Sequence, residues 1–181
     1  MTPKKPSNDT LGQSKMDLHL QSQQDERFMR LALKLAERSE SLGEVPIGAL
    51  IVDKNGKIIA KSTNLREKHA TTLGHAELVA IHRACKKLNS WRLLDCTLYV
   101  TLEPCFMCAG ALVQSRIGRV VYAAHDPKAG ALQSLAQLGQ DTRLNHRFDV
   151  TAGILENESS LLLKSFFKTK RDLKKQSKSI R

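Results

Sequence analysis

The sequence predicts an α/β domain: a mixed sheet of about five strands with helices on both faces. Two observations carry that expectation. Apolar spacing switches repeatedly between the helical and the strand period, and an initial helix and hairpin are followed by helices alternating with strands. Alternation of this kind needs crossover connections, which make neighbouring strands parallel. The 181 residues suffice for one domain with a substantial core, and no apolar run approaches the roughly 20 residues that span a bilayer.

The elements follow in order. Residues 1–24 carry Lys4, Lys5 and Lys15 but no apolar segment behind them, so they read as a disordered polar leader rather than a secretion signal. A cytoplasmic location is expected, where the four cysteines are thiols or metal ligands rather than disulfides. Phe28, Leu31, Ala32 and Leu35 give one apolar face to a helix over Asp25–Glu40. Ile47–Val52 and Ile58–Ala60 flank an Asn-Gly turn and read as an antiparallel hairpin. A loop from Asn64 to Gly74 leads into a helix from about His75 to Leu88, then a central strand at Thr97–Thr101. Pro104 suits a first helical turn, so the next helix is placed from there to about Ser115. A fourth strand covers Arg119–Ala124, a short helix is expected between Gly130 and Gly139, and a fifth strand covers Phe148–Ala152. A last helix, capped by Asn157 or Ser159, carries Leu161, Leu162, Leu163, Phe166 and Phe167. The folded domain is placed at 25–175, with a basic tail at 176–181.

Charge is concentrated at the end of the chain. The net charge is +11, of which Lys164–Arg181 alone carries +7. A basic patch at one end of a domain is the electrostatic footprint of a polyanion partner, though a solvated helix face gives the same pattern.

The chemistry lies in two fragments, His75-Ala76-Glu77 and Pro104-Cys105-Phe106-Met107-Cys108. Cys105 and Cys108, three apart, share a helical face at a helix start, where the dipole favours thiolate. His75 opens the other helix and completes three ligands for one zinc ion per subunit. Three protein ligands leave the fourth tetrahedral position to water, the pattern of a catalytic rather than a structural site. Glu77, two positions beyond His75, points away from the metal direction and is placed instead as the acid/base carboxylate. The joint spacing is that of zinc-dependent nucleobase deaminases. There the ion acidifies a water, Glu77 takes its proton, and the oxygen attacks the ring carbon bearing the amine.

From about Glu26 to Lys175 the chain resembles the tRNA-specific adenosine deaminases. The blocks Glu44–Ala49, Asn64–Glu67, Ser90–Leu93, Thr97–Cys105, Met107–Ala111, Ser115–Tyr122, Asn145–Arg147 and Phe166–Phe167 carry the resemblance. It implies a cytidine-deaminase-like three-layer α/β/α sandwich, a homodimer, and conversion of the wobble adenosine of a tRNA anticodon to inosine. It also implies site roles by position. His75, Cys105 and Cys108 match the zinc ligands, and Glu77 matches the proton shuttle. Asn64 matches a residue holding the flipped base and its sugar, while Val45 and Leu102 match the apolar lining of the base pocket. Asp126 and Lys128 match a loop near the anticodon backbone, and Phe167, Lys170 and Arg171 match the last helix. Gly74 stands where the family usually has alanine, and Ala123 where it usually has glycine.

Three other readings share these features. A deaminase of a free base or nucleotide (guanine, cytosine or dCMP) would use the same zinc chemistry, but has no need of a basic last helix. A non-catalytic zinc-stabilised RNA-binding module would typically lose the carboxylate at Glu77. A nonspecific basic binder would show salt-dependent affinity without turnover.

Overall fold

The computed structural model describes residues 8–179. Five strands form one sheet in the order β2-β1-β3-β4-β5. They are β1 (Gly48–Asp53), β2 (Ile58–Thr63), β3 (Cys96–Leu102), β4 (Arg119–Ala124) and β5 (Asp149–Thr151). β1 is antiparallel to both β2 and β3, whereas β3–β4 and β4–β5 are parallel, so the sheet is mixed as the element order requires. The helices are α1 (Asn8–Ser41), α2 (Ala76–Leu88), α3 (Phe106–Gln114) and α4 (Glu156–Ser179).

Strand alternation sorts the core into two halves. Ala49, Ile51, Leu98, Val100, Val120 and Tyr122 face α2 and α3, where Ala76, Ala80, Ala84, Ala109 and Leu112 meet them. The three alanines of α2 recur every fourth residue, a smooth stripe that lets the helix approach the sheet closely. Leu50, Val52, Tyr99, Val121 and Ala123 face the opposite side, against Phe28, Met29 and Ala32 of α1. α4 lies on this second side, touching β4, β3 and α1. The layers are therefore α/β/α. No helix among the described residues is long and apolar enough to cross a membrane.

Five expectations change. α1 continues upstream of Asp25 to Asn8, into the stretch expected to be a disordered leader. Its Gln, Leu, Met and Lys residues are good helix formers, although Met16, Leu18 and Leu20 stay exposed there. Residues 1–7 of that leader and 180–181 of the tail lie outside the described residues, and α4 runs through the start of the expected tail to Ser179. α4 is not capped by Asn157 or Ser159: it starts at Glu156, and the buried Ser159 hydroxyl donates to the Thr101 carbonyl. α3 starts at Phe106, so Pro104 precedes its N-cap instead of opening its first turn. No helix forms between Gly130 and Gly139, where the chain makes turns.

A candidate metal centre and base pocket

Both chemistry-bearing fragments begin helices at one end of the sheet. His75 is the N-cap of α2, and Cys105 is the N-cap of α3 with Cys108 in its first turn. Neither N-cap side chain bonds to its own helix. His75 Nδ1 lies 3.5 Å from Cys108 Sγ and 3.8 Å from Cys105 Sγ. Among the described residues these three form the group whose ligand atoms all lie within 4.8 Å of one another. Zn–S bonds of about 2.3 Å and Zn–N bonds of about 2.0–2.1 Å at tetrahedral angles require S···N separations of about 3.6 Å. The observed spacings meet that requirement, so the donor set fits a tetrahedral metal with one position to spare.

One sulfur of the pair is already biased toward charge. The Cys108 thiol beside it holds Cys105 down to about 3, against the effect of burial and with help from His75. The same contact with Cys105, together with burial, pushes Cys108 up. The pair thus keeps one proton between two sulfurs, a proton that a bound cation displaces. His75 is raised, chiefly through its contact with Cys105.

Glu77 belongs to the first turn of α2 and is 4% exposed. Burial pushes its carboxyl above the usual range, despite opposing contacts that include His75. Its Oε2 has no hydrogen-bond partner. An orphaned buried carboxylate oxygen beside three converging donors is a costly arrangement unless something binds between them.

A cleft of about 190 Å³ opens onto this centre, lined by Val45, Asn64, His75, Glu77, Leu102 and Asp126 among others. It is smaller than the roughly 300 Å³ at which drug-sized pockets begin, and so suits a single base. Asn64 is held from three directions: its amide Nδ2 donates to Glu44 Oε2 at 3.2 Å, its N–H to the Ile47 carbonyl, and its carbonyl accepts from Ser39 Oγ. Gly74, next to His75, packs where a Cβ would come within 2.8 Å of the Leu65 and Arg66 backbone, and its carbonyl accepts from Leu65 N–H. Glycine there lets the His75 turn close onto the Asn64 segment. A larger open depression of about 750 Å³, along Asn145–Asp149, contains none of the three converging donors and lies apart from this chemistry.

The structure thus brings His75, Glu77, Cys105, Cys108, Asn64, Val45, Leu102 and Asp126 to one cleft. Lys128, Phe167, Lys170 and Arg171 are exposed and do not line it. Two buried carboxylates, Glu44 and Glu103, also border the cleft and were not singled out by sequence reasoning. The available signal was a glutamate embedded between apolar residues and prolines, as in Leu102-Glu103-Pro104.

Comparison with known proteins agrees with this geometry. The model of the MafB19-like deaminases matches residues 23–171. The tRNA-specific adenosine deaminase of Bacillus subtilis (strain 168) is 50% identical over 158 residues, covering 87% of this chain and 96% of that protein. A solved tRNA:A34 deaminase, studied for A-to-I editing at the wobble position of transfer RNA, superposes with a TM-score of 0.72 at 42% identity, covering 76% of this chain and 99% of its own. The guanine deaminase of Nitrosomonas europaea is more distant, with 25% identity, a TM-score of 0.66, and 78% and 83% of the two chains covered. With the converging donors, the buried glutamate and near-complete coverage of such relatives, the chain belongs to the tRNA-specific adenosine deaminases.

Proposed function

We propose that this protein hydrolytically deaminates adenosine to inosine at the wobble position of a tRNA anticodon, with one zinc ion per subunit. The observation that carries the reading is the convergence of His75, Cys105 and Cys108 beside a buried glutamate with a free oxygen. The family match over 23–171 supports a deaminase domain of about 25–175.

His75, Cys105 and Cys108 would hold a zinc ion, which would supply the Lewis acidity that makes a water acidic near neutral pH. Glu77 performs the proton transfers. Its raised carboxyl takes a proton from the attacking water, passes it to the ring nitrogen beside the reacting carbon, and carries the next to the departing ammonia. Val45 and Leu102 flank the base, and the fixed amide of Asn64 orients it and its sugar. Extruding a base costs a few kcal/mol of unstacking, so a loop adenosine is favoured over one in a duplex. Asp126 and Lys128 meet the anticodon backbone, and Phe167, Lys170 and Arg171 extend that contact along α4. The protein acts in the cytoplasm as a homodimer.

Zinc content and inosine yield on an anticodon stem-loop, for the wild type and Glu77→Ala, test this reading. The wild type is expected to bind one zinc per chain and form inosine. Glu77→Ala is expected to keep the zinc and lose about 10²–10⁴-fold in rate. A wild type that deaminates free guanine or cytosine efficiently and leaves the stem-loop untouched would overturn the substrate assignment.

A further inference from the structure

The loop after β4 is irregular, yet it carries Asp126 and Ala129 in the lining of the cleft, with the exposed Lys128 between them. Much of its order comes from one side chain. Glu103 is 2% exposed and directly precedes Pro104 and the metal-type ligand Cys105. Its Oε1 accepts from the backbone N–H groups of Leu132 (3.1 Å), Gln133 (2.7 Å) and Ser134 (2.9 Å). Its Oε2 accepts from the N–H of Asp126 (3.1 Å) and from the Ser134 hydroxyl. His125 Nδ1 lies 3.6 Å from the same oxygen. Donors from both ends of the loop therefore converge on a single carboxylate.

The loop is stitched to the metal turn on the same side. Ala131 N–H donates to the Pro104 carbonyl at 2.9 Å, and Cys105 and Gly130 form an isolated antiparallel bridge. A Cβ on Gly130 would lie 2.3 Å from the Glu103 carboxylate, so only glycine lets the loop close this tightly. Once Asp126 is fixed by its N–H, its Oδ1 accepts from the N–H groups of Lys128 (3.0 Å) and Ala129 (3.2 Å) and sets the turn that presents them.

We propose that Glu103 is a positioning residue: it clasps the 126–134 loop against the metal-binding turn and so sets the affinity for the anticodon, without touching the substrate itself. This rests on the tRNA reading above. Glu103→Gln tests it. Glutamine has the same shape and keeps one accepting oxygen for Leu132, Gln133 and Ser134. It turns an amide donor toward the Asp126 N–H, so the Asp126 end of the loop loosens. The expected result is a rise of about tenfold in KM for the anticodon stem-loop, with kcat within about twofold and zinc content unchanged. Gly130→Ala, which crowds the carboxylate from the other side, is expected to share that signature. A Glu103→Gln KM within about twofold of wild type, or a loss that falls on kcat or zinc content instead, overturns the proposal. If the wild type forms no inosine, the tRNA reading fails separately, and amide hydrogen exchange then decides the clasp. Faster exchange at Asp126 in Glu103→Gln supports the clasp; unchanged exchange there overturns it.

Discussion

His75 and Cys105 occupy equivalent places, each the N-cap of a helix, and His75 Nδ1 lies 3.8 Å from Cys105 Sγ. An N-cap ordinarily carries Ser, Thr, Asp or Asn, whose oxygen satisfies a free backbone N–H of the first turn. Here two neighbouring helices both give up that bond, and both direct the N-cap side chain to a shared centre.

Exchanging Cys105 for serine separates the two uses of the position. Cys105→Ser restores a capping oxygen in suitable extended geometry, φ −71° and ψ 172°. With chelator present, thermal unfolding is expected to show the variant as stable as wild type or up to about 1 kcal/mol more stable. With zinc present, the wild type is expected to gain stability and the variant not. Equal zinc stabilisation of both would remove Cys105 from the ligand set.

Lys170 and Arg171 lie on the exposed part of α4, with Lys170 Nζ 5.4 Å from the Phe166 ring centroid. Replacing both by alanine keeps a good helix former and removes two charges. The slope of log affinity against log salt for tRNA should become shallower by roughly 1.4, at about 0.7 for each lost single-strand phosphate contact. Zinc content should not change. An unaltered slope would take α4 off the RNA-binding face.

Glu103 predicts a particular response to acid. Burial alone would raise its carboxyl, but the hydrogen bonds from Ser134, Gln133 and Asp126 outweigh burial and hold it at about 2. Its folded pKa lies below the unfolded value of about 4.3, so the stability it confers is complete above that value and is lost as pH falls toward 2. The contribution is of the order of 3 kcal/mol. Denaturation midpoints of wild type and Glu103→Gln should therefore converge between pH 5 and pH 2. A constant gap across that window would show that Glu103 is not titrating against the loop.

Asp25 predicts a large structural effect far from the cleft. It is 2% exposed and accepts from the Tyr99 hydroxyl at 2.8 Å and from both terminal nitrogens of Arg119, at 2.8 and 2.6 Å. Arg119 also donates to Thr151, so the cluster ties α1 to three strands. Asp25→Ala leaves a guanidinium in a partly buried site without its counter-charge, and urea unfolding should show a loss of about 3–5 kcal/mol. Zinc content of the folded fraction should be unchanged.

The regular parts of the fold were legible because each carries a strong period or turn signal. β1, the central β3 and α2 all stand within a residue of where local patterning puts them, and β2 runs three residues past its expected end at Ala60. What the sequence hid was order imposed from a distance. The 126–134 loop has no periodicity, because its organiser is Glu103, more than 20 residues upstream. Ser159 looks like a cap, but its hydroxyl is drawn to Thr101, 58 residues away. The donor spacing was readable because two short motifs each start a helix. The orphaned Glu77 oxygen was not, since that depends on what the tertiary packing leaves beside it.

Every segment that reaches the cleft leaves or joins the sheet at one end: β1 enters there after Ile47, β2 leaves at Asn64, β3 at Glu103 and β4 at His125. The Asp53–Lys57 hairpin tip closes the opposite pole. The cleft therefore sits on one rim of the sheet, and the hairpin tip lies on the other. A reporter or fusion partner inserted at Asn55 would hang a full strand length, about 20 Å, from the cleft.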